Sequence, residues 1–364
     1  MNRLVLIGNG FDLAHGLKTS YADFIEWYWT KRVKGFRGLH STIANDDLCT
    51  LKIKNEATSW NAIAFNNNLF LSNDIDGKDI INAIKNDTKN FSVRFSPLFH
   101  DICQNIETKG WVDIEEIYYK HLTGQNDKNH LPQDVNKELD VIKAYLIEYL
   151  TEIQKNISDK IILQNIKTKI SEPINENDIA IGSMATYNDW KGMFNNPDEI
   201  MLLNFNYTST ANIYVSLLDM YSLIYIHIHG SLNNPQGIIF GYGDELDDSY
   251  TNLLRENDNE YLKNIKSIKY LEASNYRKML DFIEADSYQI YIMGHSCGIS
   301  DRTLLNTLFE HKNCVSIKPF YHKRLNGTDN YMEIVQNISR NFTDMKLMRD
   351  RVVNKTLCKG LLEE

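Results

Sequence analysis

The chain has 364 residues, 43% of them hydrophobic and 24% charged, with a net charge of −9. That length suits one large α/β domain with insertions or two modest domains, and the acidic balance argues against a general nucleic-acid coat, which is usually basic. There is no run of 18 apolar residues, so neither a membrane-spanning helix nor a membrane partner is expected.

The segment "RLVLI" at residues 3–7 reads as a buried strand that breaks at Gly8-Asn9-Gly10, and the chain turns helical from Asp12 through "SYADFIEWYWTKR". It has one basic residue, no small-residue cleavage site and interrupting glycines, so it reads as a first strand rather than a signal peptide. The five cysteines (Cys49, Cys103, Cys297, Cys314, Cys358) are scattered without a C-x-x-C pair. A zinc ribbon or disulfide framework is therefore not expected, and a reducing cytoplasm is.

From about residue 40 to 195 the strand signals fade. Val135, Leu139, Ile142, Leu146, Tyr149 and Ile153 recur at steps of three and four, one apolar helical stripe. "SPLFHDICQNI" and "WVDIEEIYYKHL" also read as helices, whereas "TGQNDKNHLPQD" and "SEPINEND" read as loops. Strand signals return in "EIMLLNFN" (199–206), "SLIYIHIHG" (222–230), "GIIFGYG" (237–243), "SYQIYIMG" (287–294) and "CVSIKPFY" (314–321). Helical segments separate most of them. The pattern predicts an α/β fold with a mostly parallel sheet, formed by residues 1–40 and 196–364, interrupted by a helical insertion at 41–195.

Open parallel sheets bind ligands beyond the carboxyl ends of their strands. Four apolar strands here end in glycine or polar residues: Gly8-Asn9-Gly10, Asn206, His229-Gly230-Ser231 and Gly294-His295-Ser296. "GNGFDL" begins like a dinucleotide turn but has Leu13 where the third glycine belongs. "YIHIHGS" puts Tyr225, His227 and His229 on one strand face. The histidine pair is compatible with a metal, but no further His, Cys or Asp cluster converges on it, so no metal is expected. His229, at the strand end, suits a general base, and His227 a core histidine.

"GHSCG" at 294–298 admits two readings: the nucleophile elbow of a serine hydrolase, or a glycine-lined turn that receives a nucleotide. A triad would need an acid and then a histidine after Ser296. Asp301 and His311 fall on one helix, on the order of 15 Å apart, and Asp301 with His322 leaves a single strand to build around. The nucleotide turn is preferred. Asp113, Glu115 and Glu116 offer a carboxylate pair or the acidic first turn of a helix. Lys31, Arg32, Lys34 and Arg37, among Trp27, Trp29 and Phe36, offer a nucleic-acid or partner contact or a solvated helix end.

"LVLIGNGFDLAHGLKTSYADF", "NFNYTS", "IHIHGSL" and "IYIMGHSCGISD" together resemble the abortive-infection AbiH family of bacterial phage-defence proteins. More remotely, the order of these motifs is similar to the nucleotide core of sirtuin-like proteins. Gly8-Asn9-Gly10 with Gly16 match the glycine turn, Asn206 the strand-end asparagine, His229-Gly230 the histidine-glycine pair, and Gly294 with Ser296 the last turn. Asn9 stands where that core has alanine and Thr208 where it has aspartate, and the zinc-binding cysteine quartet of deacylating sirtuins has no counterpart.

The resemblance implies a Rossmann-like, sirtuin-like core that hydrolyses NAD⁺ to nicotinamide and ADP-ribose, not a zinc-dependent deacylase. It implies Asn206 as the group that positions the ribose and His229 as the base. Gly8, Asn9, Gly10, Phe11 and Asp12 would form the pyrophosphate turn and its helix start. Gly230, Gly294, Ser296 and Asp301 would complete the nucleotide site, with Ser296 on the adenosine-side ribose. NAD⁺ is then substrate, and a homo-oligomer with a phage-derived trigger or defence partner is expected. Two other classes stay open: a sensor that binds NAD⁺ or ADP-ribose without cleaving it, and a nuclease-type effector working from helices 27–37 and 111–122.

Overall fold

The structure, a computed structural model, describes residues 1–36, 43–54, 77–109, 113–124, 131–155, 157, 163–183, 196–218 and 220–363. It divides into two compact units, residues 1–18 with 150–364 and residues 19–149. The sequence reading placed the corresponding breaks after residues 40 and 195.

The first unit is built on a five-stranded sheet of β1 (Asn2–Ile7), β5 (Glu199–Asn204), β6 (Ser222–His227), β7 (Tyr288–Met293) and β8 (Cys314–Phe320). Its order is β6-β5-β1-β7-β8, and every neighbouring pair is parallel. The strand runs read from the sequence at 3–7, 199–206, 222–230, 287–294 and 314–321 all fall on these strands. The register sets Ile7 opposite both Asn204 and Met293, Asn204 opposite His227, and Met293 opposite Phe320. All five strands therefore end in one row, and the segments that follow them share one edge. The connections leave β1 in opposite directions, toward β5 and later toward β7, so the crevice between the β1 and β7 turns is the switch point of the sheet.

Strand alternation divides the core in two. Leu4, Leu6, Met201, Leu203, Ile290 and Ile292 pack on one face against α10 (Asn275–Ala285), α11 (Arg302–Glu310) and α12 (Tyr331–Arg340). Val5, Ile7, Ile200, Leu202, Tyr291 and Met293 pack on the other against Phe11 of α1 (Asn9–Ala14), Ile166 and Ile170 of α7 (Gln164–Ser171) and Tyr214. Strands buried on both faces are mostly apolar, which explains why "RLVLI" and "QIYIM" read as near-continuous runs, each with one buried polar residue, Arg3 and Gln289.

The stretch 237–243, expected as a strand, is not one. It follows a 3₁₀ turn at Pro235–Gly237 and makes only an isolated bridge from Tyr242 to Ile265. Its backbone groups are committed elsewhere: Ile239 N–H donates to His229 O at 2.8 Å and Gly243 N–H to Ser300 O at 3.0 Å. The long connection between β6 and β7 thus lies over the carboxyl edge of the sheet. It carries α8 (Asp248–Arg255) and the short α9 (Lys266–Lys269).

The second unit holds α2 (Tyr21–Phe36), α3 (Gly77–Asn86), α4 (Pro97–Lys109), α5 (Ile114–Leu122) and most of α6 (Pro132–Gln154). The sequence reading saw only helices here. Three short antiparallel strands, β2 (Ile43–Asn45), β3 (Cys49–Ile53) and β4 (Phe91–Phe95), are also present. Tyr28, Trp29, Phe95 and Phe99 form an aromatic core with ring centroids 4.9–6.2 Å apart. Among the described residues no helix is long and apolar enough to cross a membrane, and all five cysteines are free and buried.

Two glycines in the left-handed region separate strain from crowding. Gly16 (φ +78°) has open space where a Cβ would stand; at Gly294 (φ +75°) a Cβ would lie 2.1 Å from Phe11 N and 2.5 Å from the Gly10 carbonyl carbon. In urea unfolding, Gly16→Ala is expected to cost about 1–2 kcal/mol, and Gly294→Ala more than about 4 kcal/mol.

Candidate functional site

The first strand ends in Gly8, an extended residue whose carbonyl accepts from Phe11 N–H and from Asn206 Nδ2, both at 2.9 Å. Gly10 N–H donates to Gly294 O at 2.8 Å, and a Cβ on Gly8 would meet His295 Cα at 2.5 Å. The β1 and β7 turns are thus in backbone contact, and the missing side chains of Gly8, Gly10 and Gly294 are what that contact requires. Two of the first N–H groups of α1, which has six residues, are spent within the protein. Asn9 is exposed, Phe11 is buried against His15 and Tyr214, and Gly230 (φ +81°) abuts the Gly237 carbonyl.

On the β5 side of this contact lies Asp12, 1% exposed. Thr208 Oγ1 donates a short hydrogen bond to its Oδ2, while Oδ1 has no hydrogen-bond partner among the described residues. Burial pushes its carboxyl pKa up to about 6, opposed by Thr208, Thr210 and Asn206. Asn206 takes its place from two bonds: its N–H donates to Asn204 Oδ1 at 3.0 Å and its Nδ2 to Gly8 O. His227 is tied in by both nitrogens, Nδ1 with Asn206 O at 2.9 Å and Nε2 with Tyr225 OH at 2.8 Å. It does not pair with His229, which lies beyond the end of β6. Among the described residues no group of three or more His, Cys, Asp or Glu side chains is arranged to hold a metal ion.

A second cluster joins residues far apart in sequence. Asp301 occupies the position before α11 where a carboxylate ordinarily caps the helix, yet its side chain makes no capping bond. It turns inward instead. Lys266 Nζ lies 2.8 Å and His229 Nε2 3.2 Å from the same oxygen, Oδ1, while His295 Nε2 stands 3.6 Å from Oδ2. Tyr270 OH is 3.1 Å from His229 Nε2. The rings of Phe205 and His229 meet edge to face at 5.3 Å, and those of Phe205 and His295 lie 4.1 Å apart.

His229, His295, Lys266 and Asp301 are all buried. Burial alone would raise the Asp301 pKa, but the Lys266 charge and then His229 outweigh it and hold the carboxylate well below its ordinary value. For His229 burial is the largest influence and the net shift is downward. Its imidazole is therefore neutral near pH 7. With Nε2 facing the carboxylate, Nδ1 is the nitrogen that can accept a proton, and it has no hydrogen-bond partner among the described residues.

Among the residues read from the sequence, the structure joins His229 directly to Asp301, and joins Gly8, Gly10, Gly294, Asn206 and Asp12 around the two turns. Ser296 stands apart. It is exposed and its hydroxyl has no partner among the described residues, so no triad forms around it. Cys297 next to it is in the left-handed region (φ +55°), but it is fully buried and burial pushes its thiol pKa up, so it is no nucleophile either.

His295 was named by sequence within the Gly294-His295-Ser296 strand end but given no role. Lys266 and Tyr270 were not singled out and carry no local signal. In the second unit, Asp113 caps α5 by accepting from Glu116 N–H at 3.0 Å, and Glu116 pairs with Lys120 at 2.5 Å. Lys31 pairs with Glu148, and Arg32 with Asp46 at 3.2 Å. Asp113, Glu116, Lys31 and Arg32 are thus each matched within this unit. The side chains of Lys34, Phe36 and Arg37 lie outside the described residues.

The family model for bacteriophage abortive infection AbiH matches residues 4–322, a span that holds both clusters and every strand of the sheet. The chain belongs to the AbiH family. Its place in phage abortive infection rests on that membership. A comparison of this AbiH chain with curated proteins yields no match.

The Asp12 carboxyl makes a prediction about stability. Its folded pKa, about 6, exceeds the ordinary 3.8, so the native state binds more protons between these values than the unfolded state does. Stability from this group is fully present below about pH 4 and is lost as pH rises through about 6, a loss of about 3 kcal/mol. Asp12→Asn keeps an acceptor for Thr208. In urea unfolding, this variant should match the wild type at pH 4 and exceed it by up to about 3 kcal/mol at pH 8.

Proposed function

We propose that this AbiH protein acts in abortive infection by hydrolysing NAD⁺ to nicotinamide and ADP-ribose on a Rossmann-like core. The observation that carries the reading is the pairing of a buried, neutral His229 with the Asp301 carboxylate at 3.2 Å, at the carboxyl edge of an all-parallel sheet on which Asn206 follows β5. Nicotinamide bound to ribose is already cationic and leaves without a proton donor. The reaction therefore needs a held ribose, a stabilised oxocarbenium-like centre and one activated water.

In this reading Asn206 offers the ribose its amide oxygen while its Nδ2 stays on Gly8 O. His229 accepts the proton of the water or of a ribose hydroxyl at Nδ1, and Asp301 steadies the ring by accepting from Nε2–H. The site is closed as it stands, with His229 only 4% exposed. A silent effector suits that burial, since free NAD⁺ hydrolysis would harm the host. The phage-derived trigger, acting directly or through a homo-oligomer, would shift the connection between β6 and β7 that covers the edge.

Nicotinamide release from NAD⁺, measured with phage lysate as activator, tests the proposal. The wild type should turn over. Asn206→Ala and His229→Ala, checked for folding by thermal melting, should lose about 10²–10⁴-fold. Absence of turnover in the activated wild type, with NAD⁺ or ADP-ribose still bound, would establish a sensor instead.

A further inference from the structure

His229 Nε2 and Lys266 Nζ converge on one atom, Asp301 Oδ1, at 3.2 and 2.8 Å. A carboxylate out of water must be matched by positive charge. Here two groups could supply it, and their demands conflict. If Lys266 supplies it, the imidazole can stay neutral; without the ammonium, the carboxylate would draw a proton onto His229. Lys266 is 1% exposed, delivered into the interior by α9, and closer to the shared oxygen than the histidine is.

We infer that Lys266 is a positioning residue for His229: its ammonium takes up the charge of Asp301, so that the carboxylate orients a neutral imidazole instead of stabilising the protonated one. The inference rests on the reading of His229 as the base, since only the neutral ring can accept a proton. The other groups facing His229 are His295, from the turn after β7, and Tyr270, from the turn after α9. Asp244, near the same segment, is already paired with Arg302 at 3.2 Å. Burial, the largest influence on the imidazole, acts with Lys266 and His295 against protonation, and Asp301 opposes them.

The test follows the His229 imidazole by ¹⁵N NMR of the full chain between about pH 5 and 8, with His229→Gln identifying its signals. The wild-type ring should be neutral at pH 7, with its proton on Nε2. Lys266→Met should move the titration midpoint up by about 1–3 pH units, and Lys266→Arg, which keeps the cation, should restore the wild-type midpoint. A protonated His229 at pH 7 in the wild type, or a midpoint unmoved in Lys266→Met, overturns the inference. If Lys266→Met does not fold, wild type and Lys266→Arg decide it alone, and an imidazolium at pH 7 in either is fatal. Nicotinamide release is measured on the same samples with phage lysate added as activator. A neutral His229 without NAD⁺ turnover would leave the role of Lys266 standing and remove the hydrolase reading. Turnover whose acid limb moves up in Lys266→Met supports both.

Discussion

The backbone contact between the β1 and β7 turns is the constraint on which the carboxyl edge depends. Gly10 N–H meets Gly294 O, and the Gly8 and Gly294 Cα atoms stand where any side chain would collide with the opposing backbone. On one side of the contact the Gly8 carbonyl fixes Asn206, and Asn206 O in turn meets His227. On the other, His295 follows Gly294 directly, and its ring is set by accepting from Cys297 N–H at 3.0 Å. That acceptor role puts the ring proton on Nε2, toward Asp301. The two clusters are therefore held in one frame by hydrogen bonds that run through the main chain, which is less adjustable than any side chain.

Within that frame the electrostatics are balanced by a single pair. Two unit charges about 4 Å apart attract by about 4 kcal/mol at an effective dielectric of 20, and desolvating them costs several kcal/mol each. The Lys266–Asp301 pair thus adds little net stability, while losing one partner leaves a buried charge unmatched. Such pairs matter more for what they impose on their neighbours. Here the neighbour is His229, which shares the oxygen but not the charge.

The sheet was legible because β1, β5, β7 and β8 are buried on both faces and so are mostly apolar; the edge was legible because four of the runs stop at glycine, asparagine or histidine. The strands β2, β3 and β4 were not, since three to five residues of alternation give too little pattern to distinguish a strand from a loop. "GIIFGYG" failed for the opposite reason: it has the composition of a strand, but Gly241 is pressed against the Asn264 carbonyl, and its bonds go to loops. The glycines of "GNG" show a deeper ambiguity. A turn that must admit a ligand and a turn that must admit another turn both demand glycine, and here backbone fills the space. Asp301 could be read as a helix start, which it is. That its side chain forgoes the cap for Lys266, 35 positions earlier in the chain, is a tertiary fact with no local trace.

Burial sets a conflict at this edge that bears on how an abortive-infection protein could be controlled. The exclusion of water that keeps His229 neutral also keeps out anything that would react there. The same segment does both, because the connection between β6 and β7 covers the edge and carries Lys266 and Tyr270 into it. Displacing the whole connection would remove the ammonium along with the cover and leave the carboxylate to stabilise a histidine protonated by the entering water. Opening that preserves a neutral base must therefore spare α9 and move another part of the cover. The bonds from Ile239 N–H to His229 O and from Gly243 N–H to Ser300 O tie the first part of the connection to the edge, and Lys266 N–H donates to Tyr242 O at 2.9 Å, which ties the same part to α9. Access and chemistry at this edge are therefore coupled through the backbone between Tyr242 and Lys266.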